Sequence, residues 1–271
     1  MPAATFTYDL EDVRPPDSYP ARHPAITRDV LAFLEARAVR GTFFVVGKLA
    51  QEHPDLVRDI AAAGHEVALH GWEHEPLAET GPEAFAEALA RGRAVLEDAA
   101  GAPVVGFRAP TFSLTPETLW AVDLLLEAGF RYSSSVLPAH SPLHGFPGAP
   151  QRAFRWPNGL LELPCAVAGL GRISLPYLGG VYLRYLPRQV IARLAACLPD
   201  DGVPWMYLHA HDFDVEQPFH LMPGYGWMTS RIVYHRRRDT YGRVQMLLDR
   251  MGAGPPLAER LDGEFAAAPG V

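Results

Sequence analysis

The chain has little cysteine and no long apolar run. Only Cys165 and Cys197 occur in 271 residues, and their wide separation fits free buried thiols in a reducing compartment better than a disulfide framework. No uninterrupted apolar stretch approaches the ~18 residues that a membrane span needs. The first residues reach a strand without a basic region followed by an apolar one, so we expect no signal peptide. These absences predict a cytoplasmic protein.

Basic residues are outnumbered by acidic ones. The formal net charge is −7, which argues against a nucleic-acid partner. The only basic run is Arg236-Arg237-Arg238, and a solvated helix start or a local ion-pair partner is its simpler interpretation. A hydrophobic content of 48% with 20% charged residues is ordinary for a globular protein, and 271 residues fit one large domain.

Apolar strands alternate with amphipathic helices along most of the chain. The pattern predicts strands at 5–8, 42–46, 66–69, 104–107, 130–136, 160–163 and 205–208. It predicts helices with apolar faces at 26–34, 55–63, 82–99, 115–129 and 187–198. Repeated strand–helix units imply an α/β fold with a parallel sheet. We expect a single catalytic domain over residues 1–251, followed by a loosely ordered C-terminal tail at 252–271 that is rich in Gly, Pro and Ala.

Side chains suited to catalysis follow several of the predicted strands. They are the carboxylates of Asp9, Glu11 and Asp12, the pair His70 and His74, Arg108, and His209. A barrel brings the carboxyl ends of all its strands to one mouth, whereas an open sheet gathers only those near a switch point. A barrel is therefore the favoured form of the sheet.

The stretch His70-Gly71-Trp72-Glu73-His74 is the first candidate for chemistry. Two histidines four residues apart fall on one face of a helical turn, so both imidazoles can point at one metal ion. Such a pair also occurs on ordinary solvated helices, and alone it is weak evidence. The cluster Asp9-Leu10-Glu11-Asp12 could likewise be a solvated turn. Taken together, two imidazoles and one carboxylate leave an open position for water, which is the layout of a hydrolytic metal centre.

Five short motifs follow one another across roughly residues 4 to 250. They are Thr7-Tyr8-Asp9-Leu10-Glu11-Asp12, His70-x3-His74, Phe107-Arg108-Ala109-Pro110-Thr111-Phe112, Tyr132-Ser133-Ser134-Ser135 and Tyr207-Leu208-His209. In this order they resemble the polysaccharide deacetylase family (NodB-type, carbohydrate esterase family 4), in the intracellular branch with an Asp-x-Glu-Asp first motif. The resemblance implies an incomplete (β/α)7 barrel and a metal-dependent hydrolase that removes an N-acetyl group from an amino sugar or glycan precursor.

The resemblance also implies a metal site and a general base. Asp9 stands at the base position, and His70 and His74 would hold the metal with Asp12 as the third ligand. The commoner family motif has two adjacent aspartates, and the insertion between them here leaves open whether Glu11 or Asp12 reaches the ion. The implied cofactor is a divalent metal, zinc foremost, with cobalt or nickel as alternatives.

Other residues would serve the remaining steps. Arg108 would pair with Asp9 and keep it ionised, although alone it reads equally well as a rim ion pair. The backbone N–H of Thr111 stands where the family supplies an oxyanion donor. His209 would be the general acid, and its simpler interpretation is a satisfied core histidine. Candidate substrate contacts are Trp72, Phe112 and His211.

One position departs from the family. Ser133 stands where the family usually has an aspartate that orients the acid histidine and raises its pKa. Asp212 or Asp214 could substitute for that aspartate, or protonation of the leaving group could be weaker. Ser133 is therefore the one feature that favours a non-catalytic relative.

Substrate and partners follow from the same resemblance. The expected substrate is an N-acetylated sugar, a nucleotide-sugar or a lipid-linked glycan, with no nucleic acid and no membrane span. Two alternatives stay open, namely a deformylase or other amide hydrolase on the same scaffold, and a non-catalytic carbohydrate-binding relative. Presence of both His70 and His74 favours the metal-dependent enzyme among these.

Overall fold

A curled, mostly parallel sheet forms the centre of the fold. The computed structural model describes residues 2–15, 18–141, 143–170, 173–198, 202, 204–222 and 226–271. Its strands are β1 (Thr5–Leu10), β2 (Gly41–Val45), β3 (Glu66–Leu69), β4 (Gly106–Phe107), β5 (Tyr132–Ser133), β6 (Phe154–Arg155), β7 (Leu161–Glu162), β8 (Ala168–Leu170), β9 (Ile173–Leu175) and β10 (Trp205–His209).

The main sheet has eight strands in the order β10-β1-β2-β3-β4-β5-β7-β6. Seven of them run parallel, and β6 adds to β7 in the antiparallel direction. Among the described residues the two edge strands, β10 and β6, do not pair with each other, so the curled sheet stays open. The predicted incomplete barrel of seven parallel strands is confirmed. Strands β8 and β9 form a separate antiparallel pair that the sequence did not predict.

Helices cover the outside of the sheet. They are α1 (His23–Glu35), α2 (Gly47–Glu52), α3 (Pro54–Ala62), α4 (Leu77–Thr80), α5 (Pro82–Ala100), α6 (Trp120–Glu127), α7 (Gly180–Tyr185), α8 (Arg188–Ala196), α9 (Ala210–Phe213), α10 (Trp227–Tyr234), α11 (Thr240–Met251) and α12 (Leu257–Arg260). In the part of the chain that the structure describes, none of these helices has the length and apolar character needed to cross a bilayer.

Helix α5 shows how the sequence sets this packing. Its buried positions recur every three or four residues and form one apolar face: Phe85, Leu89, Gly92, Leu96 and Ala99. At Gly92 a Cβ atom would lie 2.6 Å from Cδ1 of Leu69. The missing side chain lets α5 lie close against β3. This helix therefore supports the strand that leads directly into His70.

Alternation along the strands decides which side chains enter the barrel. In β1, Phe6, Tyr8 and Leu10 belong to the apolar core between the sheet and the helices. Successive side chains of a strand point to opposite faces, so Thr7 and Asp9 point into the barrel. A polar pair on the inner face of a fully buried strand is unusual, and it marks the interior as the site of chemistry.

Strand β10 follows the same rule. Leu208 belongs to the outer core, whereas Trp205 and Tyr207 join a second apolar cluster inside the barrel. His209 continues the inward series, and its Cα is the register partner of the Cα of Asp9. Two candidate catalytic residues thus lie side by side on neighbouring strands.

Several predicted elements are shorter in the structure. The apolar run 130–136 forms a strand only at Tyr132–Ser133. Beyond it, the backbone N–H groups of Ser135 and Val136 donate to the Glu162 carboxylate at 2.7 and 3.0 Å. A side chain has taken the place of a neighbouring strand, so the ladder ends there. The predicted helix at 115–129 begins instead with a 3-10 turn, and helix α2 was not predicted.

The structure contradicts the expected loosely ordered tail at 252–271. Leu257, Leu261 and Phe265 are buried in the cluster inside the barrel. The backbone N–H of Leu257 donates to Thr42 Oγ1 at 2.9 Å, and that of Ala258 donates to the Glu66 carboxylate at 3.0 Å. Composition suggested a tail, but a few apolar side chains at helical spacing are enough to anchor it. Both cysteines are free, and Cys197 is exposed rather than buried.

We predict that this segment contributes to stability. Leu257→Ala should lower the free energy of unfolding by about 2–5 kcal/mol, because it opens a cavity at a fully buried position. Val271→Ala, in the same segment at an exposed position, should change it by no more than about 0.5 kcal/mol. Urea unfolding followed by circular dichroism measures both. Equal stability of the two variants would mean that the segment is not packed as described.

Candidate active site

The histidine pair lies in a loop after β3 and not on a helical turn, so the expected helical geometry was wrong. The backbone N–H of His70 donates to Val45 O at 2.9 Å, which fixes the start of the loop. Gly71 has φ +73° and His74 has φ +61°, so the chain turns back within four residues. The two imidazole rings end 5.0 Å apart between centroids. The left-handed backbone of Gly71 and His74 brings the two imidazoles together, as a helical turn was expected to do.

Glu11, and not Asp12, joins this pair. Oε2 of Glu11 lies 2.5 Å from Nε2 of His74, and one ligand atom each from Glu11, His70 and His74 lie within 4.8 Å of one another. The carboxylate of Asp12 instead pairs with Arg14 at 2.6 Å. The expectation of Asp12 as the third ligand is therefore corrected. The cause is alternation, since Asp9 points into the barrel and the next residue on that side is Glu11.

The donor set fits a divalent cation. Nδ1–H of His70 donates to the backbone oxygen of Arg108 at 2.9 Å, which leaves the Nε2 lone pair for a metal. Burial lowers the pKa of His70 to about 4, so the ring is neutral at pH 7. Burial would raise the pKa of the Glu11 carboxyl, but the imidazoles of His74 and His209 hold it well below its usual range. Two imidazoles and a carboxylate are ligands that zinc accepts.

The Glu11 carboxylate also changes the pKa of His74. Burial would lower its pKa, but the Glu11 carboxylate raises it above the ordinary histidine value. The Glu11 carboxylate therefore favours a proton on the His74 ring. Metal binding requires the neutral imidazole and would release that proton, with the cation supplying the positive charge in its place.

Asp9 is fixed from one side by Arg108. Oδ1 of Asp9 lies 2.6 Å from Nη1 of Arg108, which is fully buried. Cζ of the guanidinium lies over two aromatic rings, 3.9 Å from the centroid of Phe44 and 4.2 Å from that of Trp205. The guanidinium also donates to Thr7 Oγ1 at 2.9 Å. With one oxygen held in this way, the other is free to face the histidines.

The second oxygen of Asp9 lies between the histidine pair and His209. Oδ2 is 3.9 Å from Nε2 of His70 and 3.8 Å from Nε2 of His209. The carboxylate thus stands between one candidate metal ligand and the candidate acid. A substrate group placed over the three would be within reach of each.

His209 is oriented by Asp212. Oδ2 of Asp212 accepts from Nδ1 of His209 at 2.9 Å and from its backbone N–H at the same distance. Burial would lower the pKa of His209, but Glu11 and Asp212 raise it to about 9. Ser133 instead donates to Ser135 Oγ at 2.8 Å, and Asp214 pairs with Arg22 at 2.7 Å. Of the two substitutes considered for the missing family aspartate, the structure places Asp212 on His209.

Arg184 on α7 completes this arrangement, and sequence reasoning missed it. Its Nη2 lies 2.9 Å from Oδ1 of Asp212, and both side chains are fully buried. Its Nη1 donates to the backbone oxygens of Val233 and His235 at 2.8 and 2.6 Å. The positive charge of Arg184 holds the pKa of Asp212 far below its usual range against the effect of burial. No motif marks Arg184, because only folding brings α7 to β10.

The candidate substrate contacts separate into two groups. The Phe112 ring lies 5.7 Å from Cζ of Arg108, and the His211 ring stacks on His209 with centroids 4.7 Å apart. Both therefore border the site. Trp72 is covered by Cζ of Arg91 at 3.7 Å. The contacts of Trp72 are with the outer helices, so the structure favours packing for it.

Thr111 lies in a strained turn next to Arg108. It belongs to the 3-10 segment Pro110–Phe112, and both Thr111 and Phe112 have φ +55°. Left-handed backbone at consecutive residues with side chains is costly, and such strain concentrates at functional sites. The hydroxyl of Thr111 donates to Pro110 O at 2.7 Å. The turn is compatible with the expected oxyanion role of the Thr111 backbone, which stays a prediction.

Two family models match the chain. Residues 4–132 match the model described as Polysaccharide deacetylase, and residues 134–253 match a domain of unknown function (DUF3473). A chitooligosaccharide deacetylase of Bradyrhizobium sp. (strain ANU 289) is 35% identical over 104 residues, which are 38% of this chain and 45% of that protein. The chain therefore spans less than half the length of this curated relative.

Solved structures show the same fold. A Mycobacterium smegmatis protein described as a polysaccharide deacetylase has a TM-score of 0.61 at 21% identity, covering 98% of this chain and 95% of that chain. A pseudoenzyme of carbohydrate esterase family 4 from Bacillus anthracis has a TM-score of 0.51 at 13% identity, covering 96% and 66%. A protein described as a pseudoenzyme thus shares the fold, and the activity of this chain has to be argued from its site.

We predict that Glu11 and Asp12 differ in metal binding. Glu11→Gln should weaken zinc binding by more than ~100-fold, because even the loss of an outer-shell partner costs ~10–100-fold. Asp12→Asn should bind zinc nearly as the unmodified protein does, since its carboxylate is paired with Arg14. Competition titration with a chelating dye measures both affinities. The reverse order would return the third-ligand role to Asp12.

Proposed function

Because this chain belongs to the polysaccharide deacetylase family, we propose that it is a metal-dependent hydrolase that removes the N-acetyl group from an amino sugar or glycan precursor. The single observation that carries the proposal is the position of Asp9 between His70 and His209, 3.9 and 3.8 Å from their Nε2 atoms. A candidate base, a candidate metal site and a candidate acid converge within the barrel. Metal-assisted hydrolysis of an amide uses three such groups together.

The proposed metal ligands are Glu11, His70 and His74, with zinc the preferred ion and cobalt or nickel as alternatives. Three protein ligands are the usual number at a catalytic zinc, which keeps a further position open. When bound, a divalent cation lowers the pKa of water and polarises a carbonyl oxygen. The lowered pKa values of Glu11 and His70 favour the deprotonated forms that metal binding requires, and His74 would have to release a proton.

Asp9 is the proposed general base. Its free oxygen would accept the proton of the attacking water as the new bond to the acetyl carbon forms. Arg108 supports this role through orientation, since it holds the other oxygen at 2.6 Å. The backbone N–H of Thr111 is the proposed donor to the oxygen that becomes negative during attack.

His209 is the proposed general acid. Nδ1–H is bound to Asp212, so the ring presents Nε2–H toward Asp9 and the site. The raised pKa of His209, about 9, keeps the imidazolium available at neutral pH. It would give its proton to the nitrogen of the departing amino sugar. The missing family aspartate at Ser133 is therefore compatible with an active enzyme, because Asp212 supplies the negative charge from the other side.

The proposed substrate is an N-acetylated sugar, free, nucleotide-linked or lipid-linked. The name of the Bradyrhizobium relative refers to N-acetylated sugar oligomers, and the present site offers an aromatic ring, Phe112, beside Arg108. An aromatic face is suited to packing against a sugar ring. His211 borders the same space from the acid side, where its ring stacks on His209.

Acetate release from a panel of N-acetylated sugars tests the proposal. We expect the zinc-loaded protein to release acetate from at least one of them and to lose activity with a chelator. Asp9→Asn should keep zinc and the fold but lower turnover at least ~100-fold, the scale on which a general base contributes. Mass spectrometry of the amine product together with zinc content per chain gives both readings.

Asp12→Asn is the matched control for that experiment, since it removes a neighbouring carboxylate outside the donor set. It should keep at least half of the activity. Unchanged turnover in Asp9→Asn would rule out Asp9 as the base, whatever the zinc content. Activity that survives complete zinc removal would rule out the metal-dependent mechanism.

The pH profile should report on Asp212. Since the acid acts as the imidazolium, the rate should fall as the pH rises through the pKa of His209. Asp212→Asn removes a negative charge that stabilises the imidazolium. The high-pH limb of the rate profile, where the rate falls, should therefore move to lower pH by about 1 unit or more. A bound cation also lowers this pKa but does not change the sign of the difference. Rate profiles from pH 6 to 10 measure the shift.

Ser133→Asp serves as the comparison. In the present structure Ser133 contacts Ser135 and not His209, so this variant should leave the limb in place. A limb that is the same in Asp212→Asn and survives in His209→Ala would show that His209 is not the acid. Near-ultraviolet circular dichroism checks that each variant is folded.

A further inference from the structure

A group of exposed apolar side chains lies in the segment after β10. We name it the apolar patch, and its members are Val215, Phe219, Leu221, Trp227, Met228 and Ile232. The side chains of Trp227 and Met228 are the most open, at 59% and 72% exposure. Over the described residues eleven large apolar residues are exposed, and these six fall within eighteen positions. Such a concentration on a surface indicates a site of interaction.

The charge around the apolar patch is opposite to that of the chain. Of the four arginines between Val215 and Arg238, three are exposed and Arg237 is buried, against one acidic residue, in a chain with a net charge of −7. Cζ of Arg231 lies 4.7 Å from the centroid of the Phe219 ring and 5.2 Å from that of Trp227. The acidic residue, Glu216, is bound by Arg22 at 3.0 Å. The patch therefore combines apolar side chains with a local excess of positive charge.

Helix α10 is amphipathic in a particular way. Ser230 and Val233 are buried beneath it, whereas Trp227, Met228 and Ile232 face outward with Arg231. A helix that exposes tryptophan, long aliphatic side chains and arginine on one side is suited to the boundary between lipid headgroups and acyl chains.

The segment that carries the apolar patch is joined to the part of the chain that follows β1. Nε2 of His220 lies 3.1 Å from Val13 O, and Gln217 donates to the hydroxyl of Tyr19 at 2.8 Å. These bonds fasten the segment of the apolar patch to the chain that follows Glu11.

We propose that the apolar patch docks this protein on the surface of an anionic lipid bilayer. Aliphatic members such as Met228, Leu221 and Ile232 favour lipid over a sugar chain, which would need aromatic faces alone. Two copies meeting through the same patch would bring their arginines together, which disfavours self-association. Anionic headgroups satisfy both parts of the patch, since arginine contacts the phosphate while the apolar side chains enter the acyl boundary.

Sedimentation with vesicles tests this proposal without any use of catalysis. The protein should bind to mixed vesicles of phosphatidylglycerol and phosphatidylcholine. It should bind much less to vesicles of phosphatidylcholine alone. The double variant Trp227→Ala/Met228→Ala should weaken partitioning at least ~10-fold, because it removes the side chains that enter the lipid. Arg231→Gln should weaken partitioning ~5-fold, as expected for one basic residue at an anionic surface. Added salt should also weaken the binding of the unmodified protein to anionic vesicles.

The double variant Leu119→Ala/Leu126→Ala is the matched control, since it removes two exposed leucines outside the patch. It should bind vesicles as the unmodified protein does. Absence of binding, or equal binding by the Trp227→Ala/Met228→Ala variant, would overturn the proposal. The proposal would also be overturned if light scattering showed a dimer that the Trp227→Ala/Met228→Ala variant abolishes. Binding of N-acetylglucosamine oligomers that the same variant abolishes would overturn it as well. Because none of these readings needs turnover, failure here leaves the proposed hydrolase activity to be judged by its own assay.

Discussion

The buried ion pair between Asp9 and Arg108 is the interaction on which the rest of the site depends. A charge as deeply buried as this guanidinium must be paired, and losing one partner of such a pair costs about 3–5 kcal/mol. Arg108 also donates to Thr7 and to Ser134, so it joins β1 to the chain after β4 and β5. The interaction that fills the barrel interior also fixes the direction in which Asp9 presents its free oxygen to the histidines.

Both matched regions contribute to the site. The first, residues 4–132, carries the proposed base and metal ligands, and the second, residues 134–253, carries His209 with the residues that orient it. The register pair between Asp9 and His209 joins the two regions, because β1 and β10 are neighbours in the sheet although they are far apart in sequence. Asp212, paired with Arg184, supplies the negative charge at His209 that the family resemblance led us to expect from an aspartate at position 133. The proposed acid thus has its charged partner on another element.

The buried carboxylates at the two ends of the barrel have different partners. At the closed end, Glu66 accepts from Thr42, Tyr132 and the backbone of Ala258, and burial raises its pKa. This carboxyl is satisfied by neutral donors and anchors the C-terminal segment. At the mouth, Glu11 is held ionised by imidazoles. A carboxylate stabilised by neighbouring positive charge is suited to a cation, which agrees with a candidate metal site at the mouth.

The sequence by itself determined the fold class and most of the candidate site. Alternating strands and helices predicted the parallel barrel, and the ordered motifs marked Asp9, the histidine pair, Arg108 and His209, because these signals are local in the chain. Tertiary structure alone decided that Glu11 rather than Asp12 lies beside the histidine pair, that Arg184 pairs with Asp212, and that apolar side chains of residues 252–271 pack inside the barrel. Each of these depends on which face of a strand meets a distant element, and spacing along the chain does not contain that information.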